Sequence, residues 1–195
     1  MLKQVQGDAI RVRTNLPMTT PTRSPHLRTG LVVALVAFLL DQLTKWIVMV
    51  PFSLENKGMV ELFPIFNLTW AENCGISLSL LAKCNDTTRW SLVALTSVVA
   101  AAVAVWMSRE KARGDVIALA LILGGAIGNI LDRIRFGYVV DFADLHFGDF
   151  RPFLIFNIAD ACITIGVLLL VARALLLSDK ADDTAAGQAA GAAKE

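Results

Sequence analysis

Asp141 and Asp160 are the residues of this sequence whose surroundings best suit chemistry. Neither has a Lys or Arg within four positions on either side, whereas Asp41 has Lys45 on its helix face and Asp132 is followed by Arg133 and Arg135. Two carboxylates held close together in a dry setting cannot both ionise. One keeps a proton and the other can accept one, which is the division of labour that peptide-bond hydrolysis needs. The ionised partner removes a proton from water. The protonated partner hydrogen-bonds the carbonyl oxygen and then protonates it. A nearby cation works against this arrangement by lowering both pKa values, and those values belong to the pair. Asp160 lies near a helix start, where the dipole favours negative charge. Asp144 also lacks a neighbouring cation, but it is read as a solvated loop acid.

The acids stand within Gly124–Asp160, a stretch that also holds Asn129, Asp132, Arg133 and Asn157, flanked on both sides by strongly apolar runs. A charge near lipid costs at least ~2.5–3.5 kcal/mol on insertion scales, so such groups usually serve a site. The chain is 55% hydrophobic and its net charge is +1, and its mean hydropathy is +0.60. That composition points to a membrane protein and away from a general nucleic-acid binder. Spans are expected near residues 30–50, 90–107, 116–131 and 152–177, each about the length that crosses a bilayer. The predicted class is an all-α membrane protein of four transmembrane helices. A small extramembrane β-rich subdomain rests on its outer face, with its strand signal in the alternation of Phe66, Leu68 and Trp70.

The expected organisation is a disordered basic leader over 1–29, a membrane domain over 30–177 and a disordered tail over 178–195. Outer segments fall at about 52–89 and 132–151. Arg11, Arg13, Arg23 and Arg28 in the leader, Arg109, Lys111 and Arg113 between spans, and Arg173 and Lys180 after the last span all reach one side. The positive-inside rule makes that side cytoplasmic, with both termini, although Arg133, Arg135 and Arg151 fall outside. Trp46, Trp90 and Trp106 fall near span ends, as an aromatic belt requires. Asp41, Lys45, Asn73, Asn129, Arg133, Asp141, Asn157 and Asp160 then share the outer face. Asp41 and Lys45, at i and i+4, form a pair facing the bundle interior or snorkelling at its edge. Gly124 and Gly128 have the small-xxx-small spacing of close helix packing.

Other chemistries find little support. His26 and His146 lie far apart, and His146 is read as a surface-loop residue. Zinc-ligand spacing, a nucleophile motif and a phosphate-binding glycine loop are all lacking. Cys74 and Cys84 serve equally as a disulfide in an oxidising space or as two free thiols, and Cys162 reads as a small core residue. A small ion or proton-coupled transporter is the alternative, since intramembrane Asp and Lys also mark ion pathways.

Five elements in order resemble the bacterial lipoprotein signal peptidases, or signal peptidase II. They are Asp41-Gln42-Leu43-Thr44-Lys45, Asn73-Cys74-Gly75, the run from Gly124 to Arg133, Val139-Val140-Asp141-Phe142 and Phe156-Asn157-Ile158-Ala159-Asp160. Ser77 and Leu78 depart from the family's usual Ala and Phe, which bears on groove detail. The resemblance implies a membrane aspartic endopeptidase that cuts prolipoproteins just before a diacylglyceryl-modified cysteine. It implies Asp141 and Asp160 as the catalytic pair, with Asn73, Gly75, Asn129, Arg133 and Asn157 holding substrate or ordering the site beside Asp41 and Lys45. It implies no metal or organic cofactor, a lipidated precursor as partner beside membrane lipid, and an active site at the periplasmic face of the inner membrane. A monomer is expected.

Overall fold

The computed structural model describes residues 24–75, 84–148 and 150–192. In chain order the elements are α1 (Leu27–Met49), α2 (Leu54–Lys57), β1 (Met59–Phe63), β2 (Phe66–Asn73), α3 (Asp86–Arg109), α4 (Arg113–Phe136), β3 (Val139–Leu145) and α5 (Ile158–Ala192). Among the described residues, four helices are long and apolar enough to cross a membrane: Leu27–Met49, Asp86–Arg109, Arg113–Phe136 and Ile158–Leu176. With the three-stranded sheet this is the expected class, mostly helical with a small β-rich subdomain.

The helices are arranged for lipid rather than water. α1 turns Leu31, Leu35, Leu39 and Leu43 outward and buries Gly30, Ala34, Ala37, Asp41 and Lys45. Lipid tails are as apolar as Leu, so small residues and polar contacts hold membrane helices together. α4 is the central helix and packs on α1, α3 and α5. A Cβ on Gly124 would collide with the Ala34 carbonyl of α1, and one on Gly125 would come within 2.5 Å of the Ala159 carbonyl of α5. Two successive glycines thus bring two neighbouring helices to backbone contact.

At one end of the bundle lies an antiparallel sheet of order β1-β2-β3. Val48, Leu54, Phe142 and Ala143 form a buried cluster under it, joined by Phe66, Leu68, Trp70, Phe156 and Ile158. This cluster seats the sheet on the ends of α1 and α5. Phe66, Leu68 and Trp70 of β2 share the face that packs on this cluster, as expected, while Asn67 opposite them is buried as well. β1 and β3 do not show in the sequence, because strand preference depends on the neighbours a segment meets. β3 reads Val-Val-Asp-Phe-Ala-Asp-Leu and is buried on both faces for most of its length, so it has no alternation to detect.

Several boundaries differ from expectation. α1 begins at Leu27, inside the segment read as leader, whose residues 1–23 lie outside the described residues. α3 starts at Asp86, where the Asn85 side chain accepts from the Thr88 N–H at 2.7 Å. α4 continues through Asp132 and Arg133 to Phe136 and stops at Gly137, whose φ of 91° is a left-handed conformation suited to glycine. Asp132 and Arg133 are therefore helical, not loop residues. α5 begins at Ile158 rather than Pro152, since the preceding segment is non-helical and bridges Phe156 to Ala143. The stretch expected as a disordered tail from 178 is helical through Ala192.

Candidate active site

Asn157 is the N-cap of α5 and sets the site's geometry. Its Oδ1 accepts the Asp160 backbone N–H at 2.9 Å, and its own N–H donates to Asp160 Oδ2 at 3.3 Å. This is a reciprocal capping arrangement with Asp at the third helical position. It fixes the Asp160 carboxylate against the helix start. The Asn157 Nδ2 then donates to Asp141 Oδ1 at 2.6 Å. One residue therefore ties the first turn of α5 to β3, its side-chain amide reaching the Asp141 carboxylate and its backbone N–H the Asp160 carboxylate.

Each carboxylate has a second donor. Asn129 of α4 donates to Asp160 Oδ1 at 2.8 Å, and Asn73 at the end of β2 donates to Asp141 Oδ2 at 3.0 Å. Gly75 orients Asn73: its backbone N–H donates to Asn73 Oδ1 at 2.8 Å, which turns the amide nitrogen toward Asp141. The turn needs glycine, because Gly75 has a φ of 90° and a Cβ there would strike Leu92. Asp141 is buried and its pKa is raised from 3.8 to about 7. Burial is the largest cause and the negative charge of Asp160 the next, opposed by the Asn73 and Asn157 hydrogen bonds and by Lys45.

Beneath the pair lies a buried charged network. Lys45 Nζ is 2.9 Å from Asp41 Oδ2, 2.7 Å from Asp132 Oδ2 and 3.1 Å from Asn129 Oδ1. All three ammonium protons thus have acceptors. Asp41 Oδ1 accepts the Ala159 N–H at 2.9 Å and Asp132 Oδ2 accepts the Val140 N–H at 3.3 Å. Ala159 precedes Asp160 and Val140 precedes Asp141, so the network grips the backbone beside each carboxylate. Gln42 closes it by donating to Asp41 Oδ2 at 3.1 Å and Asp132 Oδ1 at 3.0 Å. Gly128 makes room, since a Cβ there would come within 2.5 Å of Asp41 Oδ2. The Asp41–Lys45 pair faces the bundle interior.

Asp132 and Gln42 are site residues that the sequence alone does not single out. The signal for Asp132 was its spacing from Asn129, three positions on and so on one helix face. Its neighbours Arg133 and Arg135 do not neutralise it; Lys45 does. Asp144 is corrected as well. It is 1% exposed, accepts from Thr69 Oγ1 at 3.1 Å and lies 3.3 Å from Arg151 Nη1, so it is not a solvated loop acid. His146 is half-buried rather than on an open surface, and its Nε2 is enclosed without a partner among the described residues. Arg133 donates from Nη1 to Asn129 O at 3.3 Å and points its guanidinium toward Gly75. Cys74 and Cys84 are disulfide-bonded, with Cα atoms 5.3 Å apart. Ser77 and Leu78 lie outside the described residues.

A hollow of about 620 Å³ opens over Asp141, between β2, β3 and residues 151–155. A second of about 260 Å³ follows α5 past Asp160 and is walled by Phe153, Phe156 and Ile165. A carboxylate pair linked through one residue, with access on each side, can activate water and protonate a carbonyl.

The family model described as signal peptidase (SPase) II matches residues 33–176. The lipoprotein signal peptidase of Sphingopyxis alaskensis is 79% identical over 82% of this chain and 92% of its own. That of Rhizorhabdus wittichii is 54% identical over 80% and 91%. A bacterial membrane enzyme solved by the in meso method at 2.3 Å resolution superposes with a TM-score of 0.66 at 28% identity, covering 84% of this chain and 95% of the other. With its four apolar helices, the chain belongs to the signal peptidase II family and is a multi-pass membrane peptidase.

Proposed function

We propose that the chain is an aspartic endopeptidase that removes signal peptides from diacylglyceryl-modified prolipoproteins, cutting just before the lipidated cysteine. Asp141 and Asp160 are its catalytic carboxylates. The observation that carries this reading is that Asn157 donates to both, from its side chain to Asp141 and from its backbone N–H to Asp160, together with a pKa of about 7 at Asp141. At neutral pH such a pair shares a proton.

In this reading Asp160 takes a proton from water as the water oxygen adds to the scissile carbonyl carbon. Asp141 gives its proton to the carbonyl oxygen, producing a neutral tetrahedral diol. The diol then collapses and the C–N bond breaks. The proton held by Asp160 passes to the departing amine, and one diol hydroxyl returns its proton to Asp141. Asn73, Asn129 and Asn157 hold the carboxylates in place, and Arg133, whose guanidinium reaches toward Gly75, is assigned to substrate.

The peptidase domain spans about 30–177, with the sheet and residues 132–151 near its outer face. Both termini face the cytoplasm and the active site faces the periplasm of a bacterial inner membrane. Arg109, Lys111 and Arg113, at the end of the bundle opposite the sheet, support that orientation. Both carboxylates come from a single chain, which supports a monomer as the working unit.

Purified protein should cleave a diacylglyceryl-modified precursor and leave the same precursor without its lipid intact. Failure to cut the lipidated precursor overturns the reading. A proton or ion flux through proteoliposomes would favour a transporter in its place.

A further inference from the structure

The two hollows share Phe153, and each reaches one carboxylate, but their chemistry differs. The one along α5 is bounded by Phe153, Phe156, Ala161, Thr164 and Ile165 around Asp160. The larger lies among extramembrane elements and carries Glu72, Asn73, Asp141, Asp144 and Arg151. Its volume of about 620 Å³ is that of a ligand-sized site.

We propose, resting on the function given above, that the larger hollow is a subsite for the polypeptide that follows the lipidated cysteine. Arg151 is its specificity residue and donates to carbonyl or carboxylate oxygens of that polypeptide. The signal helix and the acyl chains of such a substrate are apolar and stay with the bilayer, where the α5 hollow lies. The mature chain is the part that must leave the membrane, and the polar hollow opens where it would emerge.

The Asp144–Arg151 pair is built unlike a stabilising surface contact. Asp144 is 1% exposed while the Arg151 side chain is 53% exposed. A half-exposed ion pair contributes little stability, whereas burying a carboxylate is costly. Asp144 Oδ1 is also enclosed without a partner among the described residues, so the acid is not there to complete a hydrogen-bond network with them. Its other oxygen, fixed by Thr69, grips one Nη of Arg151. A guanidinium has five donors in a rigid fork, and one edge held by a buried acid leaves the rest set toward the hollow. Arg151 is the one cation among the described lining residues, beside Glu72, Asp141 and Asp144. It alone offsets an otherwise acidic wall.

The test uses the full chain in liposomes and two kinds of lipidated peptide. One ends directly after the modified cysteine; the other continues for several residues, carrying either Asp or Lys in that extension. Wild type should cut the long Asp peptide with a higher kcat/KM than the short one, and Lys in the extension should lose that gain. R151Q should reduce the long-to-short ratio about tenfold, the scale of one charge-assisted hydrogen bond, mainly through KM. R151E should reverse the preference to Lys, and D144N should lower the ratio in the same direction as R151Q. A long-to-short ratio and charge preference that stay the same in R151Q and R151E overturn the subsite. Failure of wild type to cut either peptide instead overturns the function on which it rests.

Discussion

Asn157 places its side-chain amide 2.6 Å from Asp141 Oδ1 while its Oδ1 caps the helix that carries Asp160. One residue therefore supports both the fold of α5 and the spacing of the carboxylates. Asn157→Ala removes the cap, worth about 1 kcal/mol, and leaves a buried Asp141 oxygen without its donor. Thermal unfolding in detergent should show a modest drop. Turnover should fall by about 10²-fold or more, chiefly in kcat, since a preorganised donor at the reacting groups is lost. Equal loss in stability and activity, with kcat unchanged in the folded fraction, would contradict this role.

The pH dependence follows from Asp141. Its pKa is about 7 in the folded chain against 3.8 ordinarily, because burial and then Asp160 disfavour its charge. The folded state thus keeps a proton that the unfolded chain releases at lower pH. The associated stability is full at the acid end of that window and is lost as pH rises from about 4 toward about 7. Activity should fall on the basic side with an apparent pKa near 7, as the pair loses its shared proton. Cleavage rates in liposomes across the pH range check this, and a rate still climbing well above neutrality would contradict it.

Lys45 holds Asp41 and Asp132 together at side-chain exposures of 3%, 0% and 1%. Lys45→Met leaves two buried carboxylates facing one another without a countercharge, a loss on the order of 3–5 kcal/mol. The variant should unfold at a markedly lower temperature yet retain some turnover while folded, because Lys45 acts through the Val140 and Ala159 backbones. Complete inactivity in a variant of unchanged thermal stability would instead give Lys45 a part in the chemistry.

The sequence made the helices legible because lipid imposes a length and a composition on any span. It also singled out Asp141, Asp160 and the Asp41–Lys45 face, since polar groups inside apolar runs stand out. What it hid depends on contacts between distant segments. β3 carries Asp141 yet reads as an apolar loop until β2 pairs with it. Asp144 looks like a solvated acid until Thr69, on β2, and Arg151 close over it. Asp132 looks compensated by adjacent arginines, yet its partner is Lys45, on another helix. The start of α5 is not visible in the sequence because Asn157 caps it only once Phe156 has bridged to β3.

The most direct test is cleavage of a diacylglyceryl-modified precursor by Asp141→Asn and Asp160→Asn, each purified and shown to insert and fold like wild type. Each substitution removes the shared proton from the pair. Both variants should lose at least ~10²–10⁴-fold in turnover. Processing near the wild-type rate by either one would contradict the carboxylate-pair account.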